Sequence, residues 1–167
     1  INSCPHIWES VKHIIEANPN VVLDGELYNH ELKADFQKIV SLVRKVKCRP
    51  EEIKESSEKV EYHVYDMFDK NNPTMRFMER YMWLQDNVSG NMIVLVDTQI
   101  CDTTKAIDKM YGEYTEAGYE GQMIRQDTPY ECKRSKALLK RKEFITEEYD
   151  VVCLLYTSDA ADELTSG

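Results

Sequence analysis

The apolar residues of this chain follow two periods, and the period changes several times along the sequence. Residues 6–17 carry apolar side chains three and four positions apart, which predicts an amphipathic helix. Residues 21–28 are mainly β-branched, aromatic or apolar, which is typical of a strand. Pro19 lies between the two segments and ends the helix. The beginning of the chain therefore predicts a helix followed by a strand.

The same patterns assign the rest of the chain. Helical spacing predicts further helices at 34–47, from Pro50 onward, at 75–88 and at 103–117. Alternating or β-rich segments predict strands at 61–69, 92–100, 121–126, 137–144 and 148–156. Helices and strands are mixed without a regular strand–helix–strand rhythm, and the chain has no internal repeat. The pattern predicts an α+β domain with largely antiparallel sheets.

Composition agrees with a folded domain and argues against several classes. The 167 residues have the size of one ordinary domain, and 42% hydrophobic residues are enough for a core. No apolar run approaches the ~20 residues of a membrane helix, and no secretory signal peptide begins the chain. The five cysteines and four histidines are scattered, which favours reduced thiols over disulfides or a paired zinc site. We expect a protein that is not secreted, in the cytoplasm or in a nuclear or viral setting.

Charge is distributed unevenly. The formal net charge of -9 argues against a surface coated for nucleic acid. Basic residues nevertheless crowd into one short segment, and they are Lys133, Arg134, Lys136, Lys140, Arg141 and Lys142. Because salt screens charge over about 10 Å, a local basic groove remains compatible with an acidic protein.

The first candidate site lies in the predicted strand 21–28. Asp24 and Glu26 flank Gly25 in an otherwise apolar segment. Charged side chains destabilise a strand interior unless they have a use, and glycine allows close approach of a ligand. The alternative interpretation is a strand end with solvated acids.

The second candidate is Tyr65 in the strand 61–69. Strand alternation places Tyr65 on the face of His63 and opposite to Asp66. Its ring can stack on a nucleotide base or fill a core, and the residue alone favours the core.

The third candidate combines Glu120 with the lysines of the basic segment. Glu120 precedes Gly121 at a strand start, while Lys140 and Lys142 are two residues apart and share one strand face. Two neighbouring ammonium groups repel each other unless an anion lies between them, and a triphosphate would serve. A solvated basic strand is the alternative. Taken together, the three candidates indicate a site for a nucleoside triphosphate and a divalent metal.

Four segments in the same order resemble motifs of the covalent nucleotidyltransferase superfamily, and most closely the ATP-dependent DNA ligases. They are "LDGEL" (23–27), "YHVYDMF" (62–68), "EGQMIR" (120–125) and "RSKALLKRK" (134–142). The resemblance implies an ATP-grasp-like nucleotidyltransferase (adenylation) domain. The lysine motif Lys-x-Asp-Gly of that superfamily is absent from these residues. We therefore expect a central fragment, truncated at both ends, with a partial adenylation domain at 1–155 and a disordered or non-native tail at 156–167.

The resemblance also implies residue roles. Glu26 would contact the ribose or a metal, and Tyr65 would stack on adenine. Glu120 would bind Mg²⁺ or its waters, while Lys140 and Lys142 would contact the α-phosphate and act in catalysis.

Four further residues receive secondary roles from the same comparison. Arg125 and Arg134 are candidates for contact with polynucleotide or phosphate. Asp24 is expected to support its strand, and Asp66 to cap or pair locally.

The function implied is ATP-dependent sealing of nicked duplex DNA by a monomer that acts in DNA repair, replication and recombination. The fragment alone is expected to be inactive in self-adenylation. Three alternatives remain open at this point: an RNA ligase, a messenger-RNA-capping guanylyltransferase that uses GTP, and a non-catalytic nucleic-acid-binding fragment. A purely structural fragment would show no response to ATP and magnesium.

Overall fold

A three-stranded sheet forms the centre of the computed structural model, which describes residues 2–33 and 35–143. Its strands are β1 (Val21–Tyr28), β2 (Glu61–Asp69) and β3 (Ile93–Leu95), in the order β1-β2-β3. β1 and β2 are antiparallel, whereas β3 adds to β2 in parallel. A second sheet consists of the antiparallel pair β4 (Gly121–Arg125) and β5 (Leu138–Lys142).

Helices connect the strands and cover the sheets. They are α1 (Pro5–Ala17), α2 (Phe36–Val43), α3 (Pro50–Lys59), α4 (Phe77–Asn87) and α5 (Thr104–Glu116), with a 3-10 turn at His30–Leu32. Local signals fix where they begin: the Asp35 and Thr103 side chains accept backbone N–H groups at the starts of α2 and α5. None of the helices in the described ranges has the length and apolar character needed to cross a membrane.

The main core lies between α1, α4 and the central sheet. It contains Val11 and Ile14 of α1, Val64 and Met67 of β2, and Leu84 of α4, all buried. Each such side chain contributes about 1.5–3 kcal/mol on burial. A smaller cluster joins Cys4, Ile7, Leu42 and Val60. The core thus fixes β2 as the strand around which the domain is built.

Most predicted elements are confirmed. The strands predicted at 21–28 and 61–69 form with those bounds, and the helices predicted at 6–17, 75–88 and 103–117 shift by at most two residues at either end. The predicted α+β class with largely antiparallel sheets is confirmed, with β2–β3 as the parallel pair. The strand predicted at 148–156 and the tail predicted at 156–167 lie outside the described residues.

Two elements are shorter than predicted. The helix predicted at 34–47 ends at Val43, because Val46 is 81% exposed and gives the segment no apolar face to bury. The strand predicted at 92–100 is confined to Ile93–Leu95, since its ladder pairs only with Tyr62–Val64 of β2. Beyond that ladder the Val96 N–H still donates to the Val64 carbonyl. In both cases hydrophobic spacing extended past the point where a packing partner is present.

Candidate functional site

A β-bulge places Tyr65 beside the carboxylates of β1. Asp24 pairs with Asp66 and Gly25 pairs with Val64, so Tyr65 is the extra residue of β2. Bulges bend a strand and redirect side chains, and they are frequent next to binding sites. Burial, with Asp24 and Glu26 nearby, raises the pKa of the Tyr65 hydroxyl. The ring is half-buried, which leaves part of it available to a ligand.

Asp24 accepts a hydrogen bond from a residue that is distant in the sequence. The Tyr130 hydroxyl donates to Asp24 Oδ2 at 2.8 Å, although 106 residues separate the two. Burial, followed by the hydrogen bond to the Asp24 carboxylate, raises the pKa of Tyr130 above its ordinary value. Asp24 is expected to support its own strand. Through Tyr130 it also joins β1 to the segment that connects β4 to β5.

Asp66 is the centre of a buried ionic group that includes Arg80 and Arg125. Its side chain is fully buried, and Arg80, only 3% exposed, donates from Nε and Nη2 to its two carboxylate oxygens at 2.7 and 3.1 Å. Arg125 Nη1 donates to Oδ2 of the same carboxylate. The local partner expected for Asp66 is present as the Met67 N–H, but the two arginines come from α4 and β4.

The remaining donors of Arg80 are also used. Its Nη1 donates to the Met75 carbonyl at 2.6 Å and to the Thr128 carbonyl at 3.0 Å. The Phe77 ring lies 4.5 Å from the Arg125 guanidinium carbon and 5.6 Å from that of Arg80. A buried charge is tolerated only when paired and hydrogen-bonded, and this group meets both conditions.

Glu120, Lys140 and Lys142 come together at the second sheet. Lys140 Nζ donates to Glu120 Oε2 at 2.7 Å, and Lys142 Nζ donates to Oε1 at 2.8 Å. These two hydrogen bonds lower the pKa of Glu120 to about 2. The predicted sharing of one face by the lysines is confirmed, and the anion between them in this structure is Glu120 itself. With 62% and 51% of the Glu120 and Lys140 side chains exposed, the cluster is open to a ligand.

The face of the second sheet that carries the lysines is opposite to the face that contacts α5. Met123 lies opposite Lys140 and Gly121 opposite Lys142, so these four residues share a face. The other face contacts α5 through Gln122, which donates to the Ile107 carbonyl. Met123 is 56% exposed, an apolar side chain among charged ones.

A second connection between the sheets runs through aromatic rings. The His30 ring lies 4.4 Å from the ring of Tyr119, the residue that precedes Glu120 in the sequence. The Tyr28 hydroxyl lies 3.0 Å from His30 Nδ1. Tyr28 also contacts His63 edge to face, and His63 pairs with Glu26 across the β1–β2 ladder. The strand that carries Glu26 is thereby tied to the segment that precedes Glu120.

The two arginines predicted for polynucleotide contact occupy different environments. Arg134 is exposed in the segment that connects β4 to β5. Arg125, with 18% of its side chain exposed, is engaged by Asp66. Only Arg134 therefore presents its guanidinium freely toward solvent.

Three residues that sequence reasoning missed are Arg80, Met123 and Tyr130. Arg80 had a signal, because it falls three residues after Phe77 and four before Leu84 on the buried face of α4. An arginine at such a position requires a buried partner. Tyr130 and Met123 carried no comparable signal, since their contacts depend on how distant strands meet.

The acids suit a magnesium ion that is shared with a ligand. Within the described part of the chain, no three His, Cys, Asp or Glu side chains converge on a metal position. Glu26 on β1 and Glu120, which directly precedes β4, are exposed carboxylates. Mg²⁺ commonly takes one or two carboxylates and completes its shell with water and substrate phosphates, so this donor set fits that habit.

Gly25 is required by its neighbouring strand. A Cβ at this position would lie 2.5 Å from the His63 carbonyl oxygen and 2.7 Å from the Tyr62 ring. We expect Gly25→Ala to destabilise the protein by about 1–3 kcal/mol, since the backbone must move to accept the methyl group. Chemical denaturation measures the change.

Gly112 provides the matched control for that substitution. It lies within α5, and a Cβ there would meet nothing within 4 Å. Gly112→Ala should therefore stabilise the protein by about 0.5–1 kcal/mol. Equal effects of the two substitutions would contradict the close approach at Gly25.

Two solved structures share this fold. A Lig E DNA ligase, studied for DNA binding with a minimal scaffold, matches with a TM-score of 0.59 at 22% identity, over 78% of this chain and 49% of the other. A structure described as Pmar-Lig_PreS3 matches with a TM-score of 0.60 at 22% identity, over 86% of this chain and 35% of the other. The chain thus shares the fold of these two structures.

The sequence gives the family. The model of the ATP-dependent DNA ligase domain matches residues 1–142, and the chain belongs to this family. A DNA ligase of Archaeoglobus fulgidus is 31% identical over 160 residues, which cover 90% of this chain and 28% of that protein. The chain thus spans less than a third of the curated relative's length. The resemblance drawn from the four motifs is confirmed.

Proposed function

We propose that this chain is the nucleotide-binding part of an ATP-dependent DNA ligase that seals nicks between a 5′-phosphate and a 3′-hydroxyl. The observation that carries the proposal is the convergence of Lys140 and Lys142 on one exposed carboxylate, Glu120. Such a cluster can exchange its internal anion for phosphate. It lies in a domain whose family is the ATP-dependent DNA ligases.

The central sheet supplies the nucleoside contacts in this proposal. Tyr65 stacks on adenine, since its half-buried ring is fixed at the bulge beside Asp24. Glu26, exposed on β1, contacts the ribose or a metal-bound water. On the second sheet, the exposed Met123 lies opposite Lys140 across the β4–β5 ladder and supplies an apolar contact to the nucleoside.

The second sheet supplies the phosphate contacts. Lys140 and Lys142 bind the α-phosphate region, where two positive charges offset the charge that develops as pyrophosphate leaves. Glu120, released from the lysines, and Glu26 would hold Mg²⁺, which neutralises phosphate charge and favours in-line displacement. The chain's own residues therefore position the nucleotide and compensate its charge.

The whole reaction has three transfers. An enzyme lysine attacks the α-phosphate of ATP, and pyrophosphate leaves. The AMP group then passes to the 5′-phosphate at the nick, giving a DNA-adenylate. The 3′-hydroxyl finally attacks that 5′-phosphate, closing the strand and releasing AMP. Roles in DNA repair, replication and recombination, and action as a monomer, belong to the same proposal.

Nicked duplex DNA is the proposed partner, and Arg134 is its proposed direct contact. Arg134 is exposed and lies close in sequence to the exposed Lys133 and Lys136, so the segment between β4 and β5 presents a basic surface. Arg125 is engaged inside the domain, so we assign it an indirect part in phosphate or polynucleotide binding.

Binding assays test the proposal. Calorimetry with ATP and magnesium should show saturable binding, and GTP should bind more weakly. Nicked DNA should be bound in preference to nicked RNA. A chain that shows no thermal shift with ATP and magnesium would contradict nucleotide binding and leave a structural role.

We expect no covalent labelling when these 167 residues are incubated with α-labelled ATP and magnesium. The Lys-x-Asp-Gly motif that carries AMP in the superfamily is absent from them. The measurement is denaturing gel electrophoresis, which removes bound but not covalent nucleotide. An intact DNA ligase treated alongside serves as the positive control. Label that stays on this chain would show that another lysine accepts AMP.

A further inference from the structure

We infer that Arg125 is a positioning residue that, with Asp66 and Arg80, sets the spacing between the two sheets and therefore between the two halves of the nucleotide site. The inference rests on the proposed function, because it concerns the fit of one ligand to both sheets. Its structural part, the spacing itself, can be measured without any ligand.

The first argument is position along the strands. Asp66 directly follows Tyr65, the proposed base-stacking residue of β2. Arg125 ends β4 and lies on the same face as Lys140, because Met123 and Arg125 alternate with Gln122 and Ile124. The ion pair between Asp66 and Arg125 thus joins the strand that carries the base contact to the sheet that carries the phosphate contacts.

The second argument is the rigidity of the joint. Asp66 is fully buried and Arg80 only 3% exposed, and Arg80 uses Nε, Nη1 and Nη2 in hydrogen bonds to Asp66, Met75 and Thr128. Arg80 therefore holds the Asp66 carboxylate in place independently of Arg125. Arg125 in turn lies against the Phe77 ring, which limits the positions of its guanidinium.

The third argument is the contrast with the other arginine of this sheet. Arg141 points to the opposite face, where it pairs with Asp108 of α5 at 2.6 Å and lies 4.3 Å from the Tyr111 ring. Arg141 therefore has an ion pair and an aromatic contact like those of Arg125, but both stay within the second sheet and its helix. It contributes nothing to the spacing between the sheets.

A nucleoside triphosphate must contact both sheets at once, whereas its fragments contact one each. Misplacement of about 1 Å between groups that act on one ligand can cost about two orders of magnitude in rate. Affinity for a ligand that spans both sheets depends on the same placement, because each contact contributes only when the ligand reaches it. A fragment bound by a single sheet is insensitive to that spacing. Comparing the whole ligand with its fragments therefore separates positioning from general loss of structure.

The binding test uses Arg125→Met, with Arg141→Met as the matched control. Methionine keeps a flexible, unbranched apolar stem while removing the guanidinium group that contacts Asp66 and the Phe77 ring. We expect Arg125→Met to weaken ATP binding at least about tenfold. Adenosine and tripolyphosphate should bind as they do to the unmodified chain. Arg125→Lys, which keeps a cation for Asp66, should recover part of the loss, and Arg141→Met should change none of the three affinities.

Proportional weakening of ATP, adenosine and tripolyphosphate would overturn the inference, since it would indicate a general structural effect. Unchanged ATP binding in Arg125→Met would overturn it as well.

A distance measurement decides the inference separately from nucleotide binding. Spin labels are placed on cysteines introduced at the exposed positions Met82 of α4 and Leu139 of β5. Serine replaces every other cysteine except the buried Cys4, and these are Cys48, Cys101, Cys132 and Cys153. Arg125→Met should broaden the distance distribution between the labels, and Arg141→Met should leave it unchanged. An unchanged distribution in Arg125→Met would overturn the inference. Failure of the unmodified chain to bind ATP would instead count against the proposed function alone.

Discussion

Replacing Asp66 with asparagine will lower the free energy of unfolding by about 3–5 kcal/mol, the usual cost of removing one partner from a buried ion pair. Asparagine keeps the shape of the side chain and one acceptor oxygen. It offers an N–H donor where the second carboxylate oxygen accepts from both Arg80 and Arg125. The two guanidinium groups then lose their counter-charge, and Arg80 is almost completely buried. Urea denaturation followed by circular dichroism measures the loss.

Asp108 provides the control for this substitution. It pairs with Arg141 at 2.6 Å, but both side chains are substantially exposed, at 55% and 40%. Surface pairs contribute about 0–1 kcal/mol, so Asp108→Asn should have a small effect. If Asp66→Asn were as mild as Asp108→Asn, the buried ionic group would not be the joint that the structure indicates.

Replacing both Lys140 and Lys142 with methionine will weaken ATP binding by about a hundredfold or more. A hydrogen bond to a charged group contributes about 1.5–3 kcal/mol, which corresponds to roughly tenfold to a hundredfold in affinity for each lysine. Loss of the lysines also leaves the Glu120 carboxylate without these two partners, and it would then repel phosphate. Calorimetry with ATP and magnesium measures the effect.

Lys109 is the control for the lysine substitutions. It is exposed on α5 and pairs with Glu113, so Lys109→Met removes a positive charge away from the cluster. It should leave ATP binding unchanged. If the double variant bound ATP normally but bound nicked DNA more weakly, residues 133–142 would be a nucleic-acid surface and the nucleotide assignment of the lysines would be wrong.

The sequence was most informative where local pattern and packing agree. The strands 21–28 and 61–69 were predicted with the observed bounds, and the main core buries Val21, Val64 and Met67 of these strands. The shared face of Lys140 and Lys142 followed from strand alternation alone, and it is confirmed. Prediction failed at residues 44–47 and 96–100, where hydrophobic residues continue beyond the neighbouring element.

The site itself depends on contacts that no local pattern encodes. Asp66 and Arg125 are 59 residues apart, and Asp24 and Tyr130 are 106 residues apart. Such pairs arise from how the sheets meet, so spacing along the chain cannot reveal them. Sequence reasoning identified the lysines' need for an anion, but not that Glu120 already meets it. The three candidate clusters supplied the nucleotide hypothesis and the motif order supplied the family, while the structure shows that Glu120 contacts both lysines.

The contact of Glu120 with both lysines affects how phosphate binding depends on salt concentration. Phosphate binding to free surface lysines displaces mobile ions, whose release into dilute solution favours binding and makes affinity fall steeply as salt is added. In this cluster, a substantial part of the negative charge that phosphate displaces from the lysines is the Glu120 carboxylate. Because this carboxylate stays attached to the chain, its displacement gains little translational entropy. The affinity of Lys140 and Lys142 for phosphate will therefore depend on salt concentration less steeply than their two charges suggest.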